Sequence, residues 1–262
     1  MKIGISSASL YPLETEKALD LLGKSGVEVT EIFFNSPSEL KPPFIEELRK
    51  IREYYGIEIA SLHPCGSVGE PYYLFSGYER RYRDSFDYYK QYYYAAQSLG
   101  AKTVVLHGDS LAGHIPMEEY AERLMEMDAE AKKYGACICH ENVNRYRAAT
   151  PENVAELRRL TDDRLRFTFD IKQTVRDGCG VDAMYKAMQG NIINVHISDH
   201  SELSDCMLPL KGDFDFKPFF KRLKNDGYDG ACLIEVYHYA FADYEELHKS
   251  YEKVKKIHKS ID

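Results

Sequence analysis

Ala136-Cys137-Ile138-Cys139-His140-Glu141-Asn142 is the stretch whose reading decides the fold. It has the length and apolar character of a buried strand, and it ends on a carboxylate. An acid closing such a run is costly unless it is exposed, paired or bound to a cation. Three later runs end in the same way, at Asp170, His196 and Glu235. The expectation is that Glu141, Asp170, His196 and Glu235 meet around one divalent metal.

Working outward from Glu141, strands are expected at Lys2 to Ser6, Val27 to Phe34 (which contains Glu31), Ile57 to His63 and Lys102 to His107. After it they are expected at Leu165 to Asp170, Ile192 to Ser198 and Ala231 to Tyr237. Helical spacing fills the intervals. Glu14 to Lys24 carries Ala18, Leu21 and Leu22 on one face, and a second helix opens on Pro42 and Pro43 and runs to Tyr55. Glu79 to Leu99 follows, and then Pro116 to Tyr134, closed by Gly135. A helix capped by Thr150 comes next, then Asp182 to Gln189, Asp215 to Asn225 and Tyr244 to His258. Eight strands alternating with helices imply a parallel sheet with right-handed crossovers. Eight repeats that use up residues 1–262 imply a single α/β domain, a (β/α)8 TIM barrel. The structural alternative is a doubly wound open sheet, with its ligand at a strand-order switch point. Residues 64 to about 78 form a long connection, which suits a lid over an active site.

Composition narrows the function. With 44% hydrophobic residues the chain can bury a sizeable core. A net charge of -8 argues against nucleic acid as the main partner, because phosphate neutralisation needs clustered cations. Six cysteines without a CxxC, three of them in expected strands, indicate a reducing, cytoplasmic compartment. No signal-peptide core precedes the first strand, and no apolar run approaches the ~20 residues of a membrane span. The helix around Tyr82, Tyr88, Tyr89, Tyr92, Tyr93 and Tyr94 has two readings: packing by amphipathic rings, or the interface of a homodimer or homotetramer.

In a barrel of this kind the active site lies at the C-terminal strand ends. There stand His63, His107, Glu141, Asp170, His196 and Glu235. Alternation then points Ser61, Val105, Cys139, Thr168, Asn194 and Leu233 inward as well. It turns Leu62, Leu106, Phe169, Val195 and Ile234 outward towards helices, with His140 the one polar exception. Three carboxylates at one end of successive strands repel one another without a cation. Oxygen-rich ligation with one imidazole suits Mn²⁺, Mg²⁺, Co²⁺ or Fe²⁺, with Zn²⁺ also compatible.

These residues sit in motifs: Ser61-Leu62-His63-Pro64, Leu106-His107-Gly108, Glu141-Asn142-Val143-Asn144-Arg145-Tyr146, Phe169-Asp170, Val195-His196-Ile197-Ser198-Asp199, and Gly227-Tyr228-Asp229-Gly230 leading to Glu235. In their order and strand placement they resemble the xylose isomerase-like barrel superfamily. That superfamily includes ketose 3-epimerases, hydroxypyruvate isomerase, inosose dehydratase and the AP endonucleases of the endonuclease IV type. The resemblance implies that Glu141, Asp170, His196 and Glu235 ligate a metal, commonly Mn²⁺, and that Glu141 and Glu235 are the catalytic acid/base pair. The implied reaction is isomerisation or epimerisation of a small sugar, sugar phosphate or polyol through a metal-stabilised enediolate. An inosose-type dehydratase is the close alternative, and an AP endonuclease or other metal-dependent hydrolase is the second class.

Departures from the epimerase pattern mark the substrate shell. Arg147 stands where the epimerases have an acid, Gln173 where they have a histidine, and Glu202 where they have an arginine. Arg147, Lys172 and Gln173 are therefore expected to bind substrate, with the two cations favouring phosphate or carboxylate. His63 and His107 match ligands of an additional metal position in the endonucleases, so a second metal or a substrate contact is expected there. The endonuclease set is incomplete at Gln173, and Pro209-Leu210-Lys211 stands in place of an Asp-x-His pair.

Overall fold

The computed structural model describes residues 1–65 and 69–261. Seven strands come first: β1 (Lys2–Ser6), β2 (Val29–Phe33), β3 (Glu58–His63), β4 (Thr103–Leu106), β5 (Cys137–Glu141), β6 (Phe167–Asp170) and β7 (Ile192–Ile197). A small antiparallel hairpin, β8 (Asp199–Ser201) and β9 (Ser204–Met207), precedes the last barrel strand, β10 (Ala231–Ile234). The barrel closes in the order β1-β10-β7-β6-β5-β4-β3-β2, with every pair parallel. The expected (β/α)8 barrel is therefore the fold.

The outer layer holds α1 (Thr15–Lys24), α2 (Pro42–Tyr55), α3 (Glu70–Tyr73), α4 (Glu79–Leu99), α5 (Met117–Lys133), α6 (Pro151–Leu160), α7 (Ile171–Asp177), α8 (Val181–Met188), α9 (Phe216–Asn225) and α10 (Tyr244–Lys259). Their ends follow the chain's own signals. Thr150 accepts from the Asn153 amide at the start of α6, and Asp243 accepts from Glu246 at the start of α10. No described helix is long and apolar enough to cross a membrane.

Parity holds across the barrel wall. Leu62, Leu106, Phe169, Val195 and Ile234 belong to the outer core between sheet and helices. Phe169 packs there against Tyr185 and Phe219, with ring centroids 5.7 and 5.9 Å away. Inside, Val29, Ala231 and Leu233 form a separate small apolar floor. Above that floor the lining turns polar: Thr168 donates to Cys139 Sγ, and Asn194 approaches His196. The barrel therefore has a dry base beneath a charged upper layer.

Two features depart from expectation. α7 follows β6 with no intervening turn, because the Asp170 side chain caps it through the Gln173 amide. The hairpin β8–β9 occupies what reads as irregular chain. The lid expected over 64 to 78 falls partly on residues 66–68, which lie outside the described residues. The rest of that connection is tied down: α3 lies in it, Leu74 and Phe75 are buried, and Arg123 donates to the Leu74 and Ser76 carbonyls. On the tyrosine-rich helix, Tyr82, Tyr89, Tyr92 and Tyr93 are buried within this chain, which is the packing reading.

Candidate metal centre and active site

Strand ends deliver the side chains one by one. β5 brings Glu141, β6 brings Asp170, β7 brings His196, and Glu235 follows directly after β10. One ligand atom from each lies within 4.8 Å of the others. His196 Nδ1 is the hub, at 2.6 Å from Glu235 Oε2, 3.3 Å from Glu141 Oε1 and 3.7 Å from Asp170 Oδ2. Asn142 braces the neighbouring strand ends, donating to the Asp170 carbonyl and accepting from the Asp170 amide.

A second group joins at the other side of Glu141. His107 Nε2 is 2.9 Å from Glu141 Oε2, His63 Nε2 is 3.5 Å away, and the two imidazoles are 3.1 Å apart. His63, His107 and Glu141 also satisfy the spacing of a metal-holding trio.

The electrostatics are those of a compressed charge cluster. Burial pushes the Glu141 carboxyl up, but hydrogen bonds from His107, His196 and His63 outweigh it and hold the group well below the usual carboxylate range. Glu235 is half-buried; desolvation pushes its carboxyl up, but the charges of His196 and Lys172 outweigh that and hold it below that range. Burial works against a charged His196, yet Glu235 and Glu31 raise it well above an ordinary histidine. His63 likewise overcomes its burial, through the Glu141 hydrogen bond, and is raised to about 9.

The donor set fits a divalent cation. Glu141 Oε2 and Glu235 Oε2 have no solvent contact and face imidazole nitrogens, His107 Nε2 at 2.9 Å and His196 Nδ1 at 2.6 Å. Three carboxylates converging on one imidazole nitrogen in this way are what a hard or borderline cation would satisfy. Lys172 supplies part of that positive charge. Its buried Nζ lies 2.9 Å from Asp170 Oδ2 and 3.2 Å from Glu235 Oε1.

Above the cluster opens a cavity of about 630 Å³. His63, His107, Glu141, Lys172, Gln173 and Glu235 line it. Asn35, Asn144 and Arg176 add polar groups, and Tyr11, Phe33, Tyr146 and Tyr237 add rings. Gln173 is therefore where it was expected, with its Oε1 engaged by the Asn144 amide.

Arg147 is not. Its guanidinium lies buried beneath the β4–α5 connection, 3.3 Å from Asp109, donating to the Ile115 carbonyl and resting on the Tyr120 ring. The reason is Asp109, an acid with no solvent exposure that needs a nearby cation more than a substrate does. Arg176 is the arginine that reaches the cavity, and Asp205 already grips it at 2.6 and 3.2 Å.

Sequence reasoning passed over two other acids. Glu70, on α3, accepts from the Gly108 amide and the Tyr89 hydroxyl, and so holds the turn after His107. That turn needs glycine: φ is 87° at Gly108, and a Cβ there would meet the Tyr120 hydroxyl at 2.0 Å. Glu31, on β2, lies behind His196. The signal for Glu31 is weaker than the strand-end carboxylate that drew attention to Glu141: it is an acid within an apolar strand, with nothing nearby in the chain to name its partner.

Comparison with known proteins agrees with this fold. A family model described as a xylose isomerase-like TIM barrel matches residues 18–258. An uncharacterized protein of Methanocaldococcus jannaschii is 26% identical over 90% of this chain and 83% of its own length. An inosose dehydratase of Clostridium perfringens is 24% identical, covering 84% of this chain and 82% of its own. Among solved structures, a D-tagatose 3-epimerase-like protein superposes with a TM-score of 0.81 at 24% identity, covering 100% and 98% of the two chains. An IolI protein with a bound zinc atom gives a TM-score of 0.74 at 19% identity, covering 100% and 96%.

Proposed function

From the premise that the chain belongs to the xylose isomerase-like TIM-barrel family, we propose that it isomerises or epimerises a small uncharged sugar or polyol with the help of one divalent metal. Glu141, Asp170, His196 and Glu235 would hold that metal, with Mn²⁺ the preferred ion. Bound there, the cation supplies Lewis-acid polarisation of a carbonyl and its neighbouring hydroxyl. Glu141 and Glu235 are then the proton carriers. Their surroundings keep both ionised, as a base must be, and both open on the cavity. One, as carboxylate, would remove the proton beside the carbonyl; the other, first protonated by solvent reaching it through the cavity, would return a proton to the opposite face or to the adjacent carbon, and the first would release its proton to solvent to restore the resting state. His63 and His107 contact substrate hydroxyls or hold a second ion with Glu141.

The observation that carries this reading is the convergence of the Glu141, Asp170 and Glu235 carboxylates on His196 Nδ1, all within 4.8 Å of one another, beneath a cavity large enough for a monosaccharide. The preference for an uncharged substrate comes from the cations. Lys172 and Arg176 are both already paired with acids, and Arg147 is spent on Asp109. Among the described residues, Lys172 and Arg176 line the cavity with an acid already beside each of them.

A dehydratase of the inosose type remains the second reading, because the Clostridium perfringens relative aligns along most of the chain. Proton abstraction beside a carbonyl is common to both, and only the dehydratase then expels a hydroxyl. The chain's free cysteines, all six unpaired, suit the cytoplasm. Metal analysis of the purified protein, followed by NMR of ketoses and inososes in D₂O, tests the proposal. Deuterium entering a C–H position without loss of water supports the isomerase, and exchange with loss of water supports the dehydratase. Absence of exchange across metal-loaded samples refutes both.

A further inference from the structure

Glu31 has no solvent exposure and no place among the ligands, yet it faces the same histidine. The register of β2 against β3 shifts between Thr30 and Glu31, which sets Glu31 directly beside Ser61. Local irregularities of this kind re-aim a side chain. Here the result is a carboxylate aimed into the barrel and held from several sides. Ser6 Oγ donates to Oε1 at 2.9 Å and Ser61 Oγ donates to Oε2 at 2.6 Å. Asn194 Nδ2 lies 3.3 Å from Oε2, and His196 Nε2 lies 3.1 Å from it.

We propose that Glu31 is a positioning residue that fixes His196 in the tautomer presenting its Nδ1 lone pair to the metal centre. The assignment rests on the metal-centre reading above. A neutral imidazole carries one N–H, and the partner of one nitrogen decides which nitrogen is left to ligate. Without a metal, carboxylates face both nitrogens and both carry protons; when a cation claims Nδ1, Glu31, which can only accept, would keep the one remaining proton on Nε2. Nδ1 is then left facing Glu235 Oε2 at 2.6 Å and Glu141 Oε1 at 3.3 Å.

A competitor stands ready to reverse this. Asn194 Nδ2 is 3.2 Å from the same His196 Nε2. An amide NH₂ can only donate, so on its own it would take the Nε2 lone pair and send the proton to Nδ1, where it blocks the metal. Glu31 Oε2, 3.3 Å from the same Asn194 nitrogen, offers that donor an acceptor other than Nε2. The two serine hydroxyls hold the carboxylate in line.

The experiment uses the full chain, stripped of metal. Mn²⁺ and Zn²⁺ affinities are measured by chelator competition for wild type, E31Q and S61A. The Zn²⁺-loaded proteins are also examined by ¹⁵N NMR of labelled histidine. E31Q keeps the shape and removes the obligate acceptor. It should bind either ion about 10–100-fold more weakly, the range for loss of a partner behind a metal-bound histidine. The His196 Nε2–H signal of wild type should also be lost or displaced. S61A keeps the carboxylate but loosens it, and should show a smaller loss in the same direction. A folded E31Q that binds within twofold of wild type and retains the Nε2–H signal overturns the assignment. If E31Q does not fold, unchanged affinity in S61A overturns it. A wild-type chain that binds neither ion overturns the metal-centre reading, and the role of Glu31 with it.

Discussion

Replacing Lys172 with methionine should weaken the metal-free protein severely and tighten its grip on a metal. Lys172 is almost wholly buried, at 2% exposure, with Nζ 2.9 Å from Asp170 and 3.2 Å from Glu235. At an effective dielectric of ~20, each contact carries roughly 5 kcal/mol of Coulomb attraction, much of it offset by the desolvation of the ammonium. Removing one partner of such a buried network typically costs about 3–5 kcal/mol, because the remaining charges are left uncompensated. For a chain of this size that corresponds to a fall in Tm of about 6–20 °C. In the metal-loaded protein the cation takes over the same two carboxylates, so the loss should shrink. Without the ammonium's repulsion, Mn²⁺ should bind at least about tenfold tighter, some 1.4 kcal/mol. The assay is thermal unfolding of wild type and K172M in chelator and in saturating Mn²⁺, with affinities measured separately. An equal loss of Tm in both conditions, or unchanged apoprotein stability, would refute the reasoning that Lys172 stands in for a metal.

Three further outcomes are expected. E141Q and E235Q should each lower the rate of solvent deuterium exchange by about 10²–10⁴-fold, and either variant keeping half the wild-type rate at full metal content would remove that residue from proton transfer. R147M should lose about 1–3 kcal/mol of stability, because Asp109 loses a neighbouring cation but keeps its bonds from the Ser110 and His114 amides and the His114 ring, while KM stays unchanged, as read by urea unfolding and steady-state kinetics; a raised KM with intact stability would return Arg147 to the substrate. Burial pushes His140 down to about 4, so its neutral form is the one the fold favours. Its stabilising contribution is fully present above its unfolded value of 6.5 and is lost as pH falls through about 4, with roughly 2 kcal/mol gone by pH 5. H140Q, which cannot take up that proton, should flatten the decline between pH 7 and 5, and a slope equal to wild type would show that other groups set it.

Much of this centre was legible because it is built from strand ends. A carboxylate or imidazole closing an apolar run is visible in one dimension, and parity then tells which way it faces. Glu141, Asp170 and His196 were legible for that reason, and so was the outward set of Leu62, Leu106, Phe169, Val195 and Ile234. Glu31 was not, since its partner His196 lies 165 residues away and the register shift that aims it leaves no mark in composition. Arg147 misled for a related reason. It follows the Glu141 motif closely, but the acid that claims it sits on another loop. Lys172 was singled out as a cation near the site, while its attachment to Asp170 depends on a helix beginning at once after β6. The outward His140 reads as an exception to parity until Tyr120 is seen donating to its Nε2 while its Nδ1 bonds the Glu141 carbonyl.

Asp199, just after β7, accepts from the amides of His200, Leu210, Gly212 and Phe214. One buried carboxylate thus ties both ends of the excursion between β7 and α9 to a single point, and Gly212 must approach closely, since a Cβ there would meet the His200 carbonyl at 2.2 Å. The tip is uninvolved in that knot: Leu203 is 98% exposed. For protein engineering this makes 202–203 a splice point, where a peptide or reporter could be inserted without untying the anchor. Asp205, two residues beyond Leu203, grips Arg176 at the cavity wall, so an insert there would be mechanically coupled to the substrate pocket.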